Sequence, residues 1–413
     1  MGISGITLYL LVGCLICILI QALHWYSVFW LRQPISQSDF KTKMAQIVQS
    51  NIGLETSNQQ MDISDKRDGP IPIAVQEKTK NTSHLKTDIK KQIHFSIIVC
   101  YHQKPDDITS AIHWVLEQDY PYFELILVND GDSTIFSKVE EEFLTRYSEK
   151  IKYIFHSKQN MGKRGALARG IAEAQNPYLV FTDIDCIPPS TWLSTIALHI
   201  QPHIQVILGV SPYLKNKQFL NQIVQHETFL TAVQYLGWAQ RGMPYMGLGR
   251  NMVYHKDLYH ADQFQKSQSV PYGDDDLWIN KVARKDNTTT VIAKESFVPS
   301  LPPLSWSSWF NQKKRHLSAG KYYSRRSKMT IGIFSACLVI EKILLLSIIC
   351  IDIQLFLYLI LLKYIVLFVA IHHNKRRIGM VNSVGSFWLY EYFHFIYLLV
   401  ISPYIFFISK PNW

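Results

Sequence analysis

Cysteine is scarce and is nowhere arranged for chemistry. Of six in 413 residues, Cys14, Cys17, Cys337 and Cys350 lie within apolar stretches, and Cys100 and Cys186 stand alone in strand-like segments. No disulfide framework follows from such a distribution. The CxxC spacing of Cys14 and Cys17 falls in an apolar run without neighbouring ligands, which argues against a redox pair or a zinc site. Charge is also sparse, at 18% against 48% hydrophobic residues. That excess of apolar residues is too large for an ordinary soluble chain and too small for a pure bundle of spans. No basic residue precedes Arg32, and the first apolar run ends on the bulky His24, Trp25, Tyr26, Phe29 and Trp30. Both features speak against a cleaved signal peptide and for an uncleaved anchor. The Walker spacing GxxxxGK[ST] is missing, so a P-loop is excluded. Lys and Arg outnumber Asp and Glu by 42 to 32, yet they flank apolar runs and form no patch interleaved with aromatics. A membrane surface fits that pattern, and a nucleic-acid partner does not.

Long apolar runs are what the chain does have. Residues 6–23 are long enough to cross a bilayer, which takes about 20 residues. Residues 331–350, 353–371 and 384–408 read as three more, giving one N-terminal and about three C-terminal transmembrane helices. Glu341 and Lys342 are awkward inside the second run and are expected to pair with other helices. The basic residues after the first span (Arg32, Lys41, Lys43), before the second (Lys313 through Lys328) and between the third and fourth (Lys375, Arg376, Arg377) fall on one side if there are four spans. The positive-inside rule makes that side cytoplasmic. The expected organisation is an anchor over residues 1–31, a polar linker over 32–92, a folded domain over 93–300, an interfacial segment over 301–329 and C-terminal spans over 330–413. Trp306, Trp309 and Phe310 are expected at headgroup level in the interfacial segment, or else as core packing over the ligand site.

From residue 93 the texture alternates. Strands are expected at 94–101, 123–129, 151–156 and 178–182, with helices at 106–118, 135–148 and 163–174 between them. This βαβαβαβ order predicts an α/β fold with a mostly parallel sheet, whose ligands sit at the carboxyl ends of the strands.

Two of those ends carry acids. One strand delivers Asp130 into a glycine turn, and another delivers Asp183 and Asp185. In an extended segment residues i and i+2 point the same way, so both carboxylates of the pair can address one hard cation. The helix opening at Asn160-Met-Gly-Lys-Arg-Gly brings Lys163 or Arg164 toward a diphosphate, or is an ordinary helix start. Asp274, Asp275 and Asp276 open a further helix, where acids suit the dipole and where one of them can serve as a general base.

In this order the segments resemble the family 2 glycosyltransferases. Phe95-Ser-Ile-Ile-Val-Cys-Tyr is similar to the family's first strand, and Val128-Asn-Asp-Gly-Asp-Ser stands in the place of VDDGS. Asn160-Met-Gly-Lys-Arg-Gly-Ala-Leu stands in that of NxGKxxAL, and Thr182-Asp-Ile-Asp in that of the DxD segment. Gly273-Asp-Asp-Asp-Leu stands in the GEDxxL region, and Gln312-Lys-Lys-Arg-His316 where membrane-bound members carry QxxRW. The resemblance covers a little over half of the chain.

It implies a glycosyltransferase A-type, nucleotide-sugar-binding sheet and an inverting transfer from a nucleoside diphosphate sugar, a UDP-sugar favoured, with Mg2+ or Mn2+ as cofactor. Asp130, Lys163, Asp183, Gln312 and Arg315 would bind the donor. Asp185, with Asp183, would hold the metal. Asp275, with Asp274 as the alternative, would take the acceptor's proton. Trp238 and Asn251 would shape the acceptor side. The acceptor would be a membrane lipid, a lipid-linked molecule or a glycan of the cell envelope, and the setting a bacterial inner membrane with the domain cytoplasmic. Three departures stand out: Asn129 replaces an aspartate, Lys104 stands near the usual early glutamate, and His316 replaces the tryptophan of QxxRW, whose stacking surface His cannot supply. A processive polysaccharide synthase, a nucleotidyltransferase and a silent membrane scaffold are the rival readings. The sequence does not fix the oligomeric state.

Overall fold

The computed structural model describes residues 5–24, 92–102, 105–131, 136–156, 162–260, 274–378 and 387–407, together with residues 26 and 42. The expected polar linker therefore lies outside the described residues, apart from Thr42 and Gln92, as does Lys104.

The first helix, α1, spans Gly5–Leu23. Strand β1 (Phe95–Tyr101) is buried at every position, as a strand covered on both faces must be. Helix α2 (Ile108–Leu116) follows and is capped by Asp107, whose carboxylate accepts from the amides of Thr109 and Ser110. Then come β2 (Phe123–Asn129) and α3 (Lys138–Arg146), opened by a capping box between Ser137 and Glu140. Strand β3 (Ile151–Phe155), α4 (Gly162–Glu173) and β4 (Tyr178–Asp183) complete the alternation. Each of these elements lies within a few residues of its sequence-based expectation.

Past β4 come α5 (Trp192–His199), β5 (Val206–Leu208), the long α6 (Phe219–Gln240), β6 (Met252–His255), α7 (Asp274–Val282) and β7 (Thr288–Thr290). The seven strands form one sheet in the order β3-β2-β1-β4-β6-β5-β7. Every pairing is parallel except those of β6, which runs antiparallel to both β4 and β5. Successive crossovers leave β1 toward β2 and β3 on one side and toward β4 on the other. The crevice between β1 and β4 is thus a topological switch point, where open α/β sheets bind ligands. In register, Cys100 of β1 faces Asp183 of β4, so the chain ends both strands at one level.

One face of the sheet packs Ile98, Ile126 and Leu179 with Ala166 and Ile171 of α4 and Phe229 and Tyr235 of α6. The other packs Ile97, Leu125 and Val180 with Ile112 of α2 and Trp192 of α5. The α6 face continues into the C-terminal helices, since Phe334, Leu367 and Ile371 belong to the same core.

After β7 the chain forms α8 (Trp306–Ala319), α9 (Arg325–Ile349), α10 (Ile353–Ile378) and α11 (Phe387–Phe407). Helices α1, α9 and α10 are long and apolar enough to cross a membrane, and α11 carries a shorter apolar stretch, Leu389–Val400. Lys375, Arg376 and Arg377, expected between two spans, form the last turn of α10, where cations suit the helix dipole. Glu341 and Lys342 do pair with other helices. Lys342 Nζ lies 2.8 Å from Glu341 and 3.1 Å from Glu391 of α11, while Lys363 Nζ of α10 lies 3.0 Å from Glu341 and 2.6 Å from Glu391. Two acids and two bases thus close a neutral cluster in which every member is buried. Trp309 follows the core-packing alternative. It is buried among Tyr213, Leu220, Tyr390 and Tyr397, and its indole N–H donates to Glu227 at 3.2 Å. Trp306, by contrast, keeps 41% of its surface exposed.

Candidate active site

The carboxyl ends of β1, β2 and β4 supply the floor. Asp130 follows β2 directly and its amide donates to Tyr101 O at 2.8 Å, which brings the residue over the end of β1. The turn is tight. A Cβ on Gly131 would stand 2.1 Å from the carbonyl oxygen of His102, so the glycine there is required by the approach of two backbones. Asn129, one of the departures, holds this turn: its Oδ1 accepts from Gly131 N at 2.8 Å and its Nδ2 donates to the Tyr153 hydroxyl at 3.1 Å. In this chain it is a neutral scaffold residue.

Asp183 ends β4, and Lys163 on the first turn of α4 reaches it at 2.8 Å. Burial pushes the Asp183 carboxyl up, but Lys163 outweighs it, with help from Arg250 and His316, and holds the acid below its ordinary value. The same contact raises the Lys163 ammonium above its ordinary value, so both stay charged. Asp185 differs. Burial and the negative charge of Asp183 raise its pKa, opposed by Arg250 and by Ser300, whose hydroxyl donates at 3.2 Å. Its carboxyl is therefore held less firmly in the ionised form than that of Asp183.

Arg250 stands two residues before β6, the antiparallel neighbour of β4, and is thereby carried back to the acids. Its guanidinium lies over the Tyr213 ring, 4.3 Å from the centroid. Its buried Nη1 has no hydrogen-bond partner among the described residues, an expensive state for a charged donor unless a ligand completes it. The Tyr213 hydroxyl in turn accepts from Gln312 Nε2 at 2.9 Å, linking α8 to Arg250.

Asp275 on the first turn of α7 receives a backbone hydrogen bond on each oxygen, Gly249 N at 2.7 Å on Oδ2 and Asp276 N at 3.0 Å on Oδ1. Its charge is felt by Lys163 across the crevice. Asp276 serves otherwise. It accepts from the Tyr323 hydroxyl at 3.0 Å, and burial followed by the charge of Asp275 raises its carboxyl well above the ordinary range. Arg315 and His316 project from α8 and keep surface open to solvent. Partial loss of hydration, then the charges of Lys313, Arg250, Arg315 and Lys163, lower the pKa of the His316 imidazole from its ordinary value.

The structure therefore brings Lys163, Asp183, Asp185 and Asp275 to one crevice, with Asp130 at its β2 end and Gln312 entering through Tyr213. Asp274 opens α7, but its side chain lies outside the described residues. Trp238 and Asn251, expected on the acceptor side, are both buried. Trp238 is buried in the core against His24, with ring centroids 5.7 Å apart. Asn251 is 1% exposed and spends its amide on structure, donating to Val210 O and Ser296 O at 2.8 Å each and accepting from Trp192 Nε1 at 3.0 Å. Sequence reasoning missed Arg250, the immediate neighbour of Asn251. An arginine before a short strand was the available signal, but the antiparallel return of β6 that aims it at the acids has no mark in the sequence.

Among the described residues no three His, Cys, Asp or Glu side chains converge to cage a metal ion. Two carboxylates nevertheless fit a hard divalent cation that draws its remaining ligands from phosphate oxygens and water, and Asp185, unlike Asp183, is not engaged by Lys163.

Residues 96–265 match the family model described as Glycosyl transferase family 2. An uncharacterized glycosyltransferase of Haemophilus influenzae is 25% identical over 170 residues, 41% of this chain and 47% of its own length. The cholesterol galactosyltransferase of Borreliella burgdorferi is 30% identical over 109 residues, 26% of this chain and 30% of its own. This chain thus spans less than half the length of either relative. Among solved structures, a mannosyltransferase from Pyrobaculum calidifontis in complex with GDP-Man and Mn2+ aligns over 75% of this chain and 88% of its own, with 13% identity and a TM-score of 0.46.

Proposed function

We propose that this chain, whose residues 96–265 match the glycosyl transferase family 2 model, moves a sugar from a nucleoside diphosphate donor, a UDP-sugar favoured, to an acceptor at a membrane face with inversion at the anomeric carbon. The observation that carries this reading is the convergence of Lys163 and Arg250 with Asp183, Asp185 and Asp275 at the β1/β4 crevice. Lys163 and the unsatisfied guanidinium edge of Arg250 meet the diphosphate oxygens, with Arg315 at the rim. Arg suits this task because its planar fork stays charged and matches phosphate geometry. Asp130 holds the nucleoside end beside β1. Asp185, with Asp183, would hold a divalent cation, Mg2+ or Mn2+, which when bound neutralises the departing diphosphate.

In the transfer, the bond from the anomeric carbon to the diphosphate oxygen breaks as the bond to the acceptor oxygen forms. The acceptor's proton passes to Asp275. Its two oxygens are fixed by the amides of Gly249 and Asp276, which aim the carboxylate and leave each oxygen a free lone pair. A positioned base of this kind contributes about 10²–10⁴-fold.

The acceptor is proposed to be a lipid or lipid-linked molecule. Gln312 and Arg315 lie on α8, which leads within a few residues into α9, so the crevice opens beside a candidate span. The basic residues flanking the apolar helices support a cytoplasmic setting for the domain, as in a bacterial inner-membrane protein.

The test is nucleoside diphosphate release from a panel of nucleotide sugars by the full chain in lipid nanodiscs, with and without Mn2+ or Mg2+, beside Asp185→Ala. Metal-dependent release from one donor, absent in the variant, is expected. Pyrophosphate release would instead identify a nucleotidyltransferase, and no release from any donor in the presence of cell lipid extract would leave a non-catalytic scaffold.

A further inference from the structure

At the C-terminal end of α7, a cavity of about 370 Å3 opens between the globular domain and the start of α9. Its size falls within the ~300–1,000 Å3 range of small-ligand sites. Arg284, Lys285 and Arg326 line it, with Ser324, Ser327 and Asn280. None of Lys163, Asp183, Asp185, Arg250 or Asp275 does, so it is separate from the crevice. One acid, Asp286, also borders it, which leaves two net positive charges. No ion pair engages any of the three cations among the described residues. The floor is built. Asn280 donates to Tyr245 O at 2.9 Å and to Ser327 Oγ at 3.0 Å, and accepts from Ser324 N at 3.0 Å. Gly242, with φ +77, lets the end of α6 turn beneath the Lys285 stem, since a Cβ there would come within 2.6 Å of that side chain.

The depth is informative. Arg326 and Thr330 both border the cavity and both lie in the first turns of α9. At about 1.5 Å of rise per residue, the cavity covers roughly the first 8 Å of that helix, close to the ~5–7 Å thickness of a headgroup layer.

We propose that this cavity binds the phosphate group of an anionic membrane phospholipid, with Arg284, Lys285 and Arg326 as its counter-charges and, as a further donor, one hydroxyl of the Ser324–Ser327 pair, whose oxygens are 2.8 Å apart. The inference rests on α9 crossing a bilayer and is independent of which sugar the crevice transfers. Its consequence is mechanical: a headgroup held between Arg284 and Arg326 ties the start of the span to α7, the helix whose first turn carries Asp275.

The experiment uses the full chain in a neutral detergent and counts bound lipid by native mass spectrometry during titration with short-chain phosphatidylglycerol, phosphatidylcholine or inorganic phosphate. One phosphatidylglycerol is expected to bind in preference to phosphatidylcholine. The Arg284→Gln/Lys285→Gln/Arg326→Gln variant should bind it roughly 100-fold more weakly, at about fivefold per basic residue. Thr330→Trp, which fills the cavity and keeps the charges, should weaken it as well, and serves as the test if the triple variant does not fold. Equal phosphatidylglycerol affinity in the variants and the unaltered chain overturns the proposal. So does saturable inorganic phosphate binding without lipid preference, which would make this a site for the free anion. Because lipid occupancy is read without turnover, a chain that transfers no sugar in the donor panel can still bind the lipid, and the two readings fail separately.

Discussion

The Lys163 ammonium lies 2.8 Å from Asp183 Oδ1, joining the first turn of α4 to the last residue of β4 across the crevice. A donor diphosphate entering here must share or displace that contact. Lys163→Met is expected to raise the donor KM roughly 10–100-fold, the range for a lost hydrogen bond to a charged group. It should also move the acid limb of the pH profile. In the unaltered chain Lys163 outweighs burial and holds Asp183 below its ordinary value, so the carboxylate stays ionised as pH falls. Without the lysine, burial acts with less opposition, Asp183 takes up its proton at higher pH, and kcat/KM should fall off earlier on the acid side. An unmoved acid limb would show that ionised Asp183 is not needed.

Asp275 and Asp276 are consecutive yet opposite in character. The first receives two backbone hydrogen bonds and faces Lys163, while the second is pressed toward its neutral form and bonded to Tyr323. Asp275→Asn should lower kcat by about 10²–10⁴-fold and leave donor affinity, measured by isothermal titration, within a few-fold. Loss of donor binding together with turnover would move Asp275 from the role of base to one in folding or metal retention.

Gly249 donates its amide to Asp275, and a Cβ on it would lie 2.7 Å from Asp275 Oδ2. Gly249→Ala must therefore push the carboxylate aside, and kcat should drop by tenfold or more with the protein still folded. Gly320→Ala is the control, since nothing lies within 4 Å of its would-be Cβ. Equal turnover in both variants would mean that the placement of Asp275 does not limit the reaction.

How much of this was open to sequence reasoning follows from what is local. The alternation up to β4 is written in runs of apolar residues bounded by glycine and polar turns, and the acids at strand ends follow from the parallel order. The position of Asp183 and Asp185 was legible for that reason, and that of Lys163 from the glycines that open α4. The antiparallel β6 was not, because its pairing with β4 joins Phe181 to Met252, far apart in the chain, and the strand is only four residues long. Arg250 rides on that pairing and was lost with it. Trp309 was open to two readings. An aromatic beside basic residues and a span suits an interface, but α11 comes back to cover α8, and only the tertiary structure reveals it.

That cover depends on the buried charges. Trp309 of α8 packs on Tyr397 of α11 with ring centroids 5.3 Å apart, and α11 is tied to α9 and α10 through Glu391. Glu391 accepts from Lys342, Lys363 and the Tyr364 hydroxyl. Removing one acid leaves two lysines to share Glu341 in a low-dielectric interior. Glu391→Leu is therefore expected to cost about 3–5 kcal/mol of stability, read as a lower midpoint of thermal unfolding in detergent. Lys363→Leu/Glu391→Leu removes one charge of each sign and leaves the Glu341–Lys342 pair, 2.8 Å apart, so the double variant should recover much of the loss. The donor KM should follow the same order, because loosening α11 frees the helix that carries Gln312 and Arg315. A double variant no more stable than the single one would mean that helix packing, and not charge balance, holds these helices against the crevice.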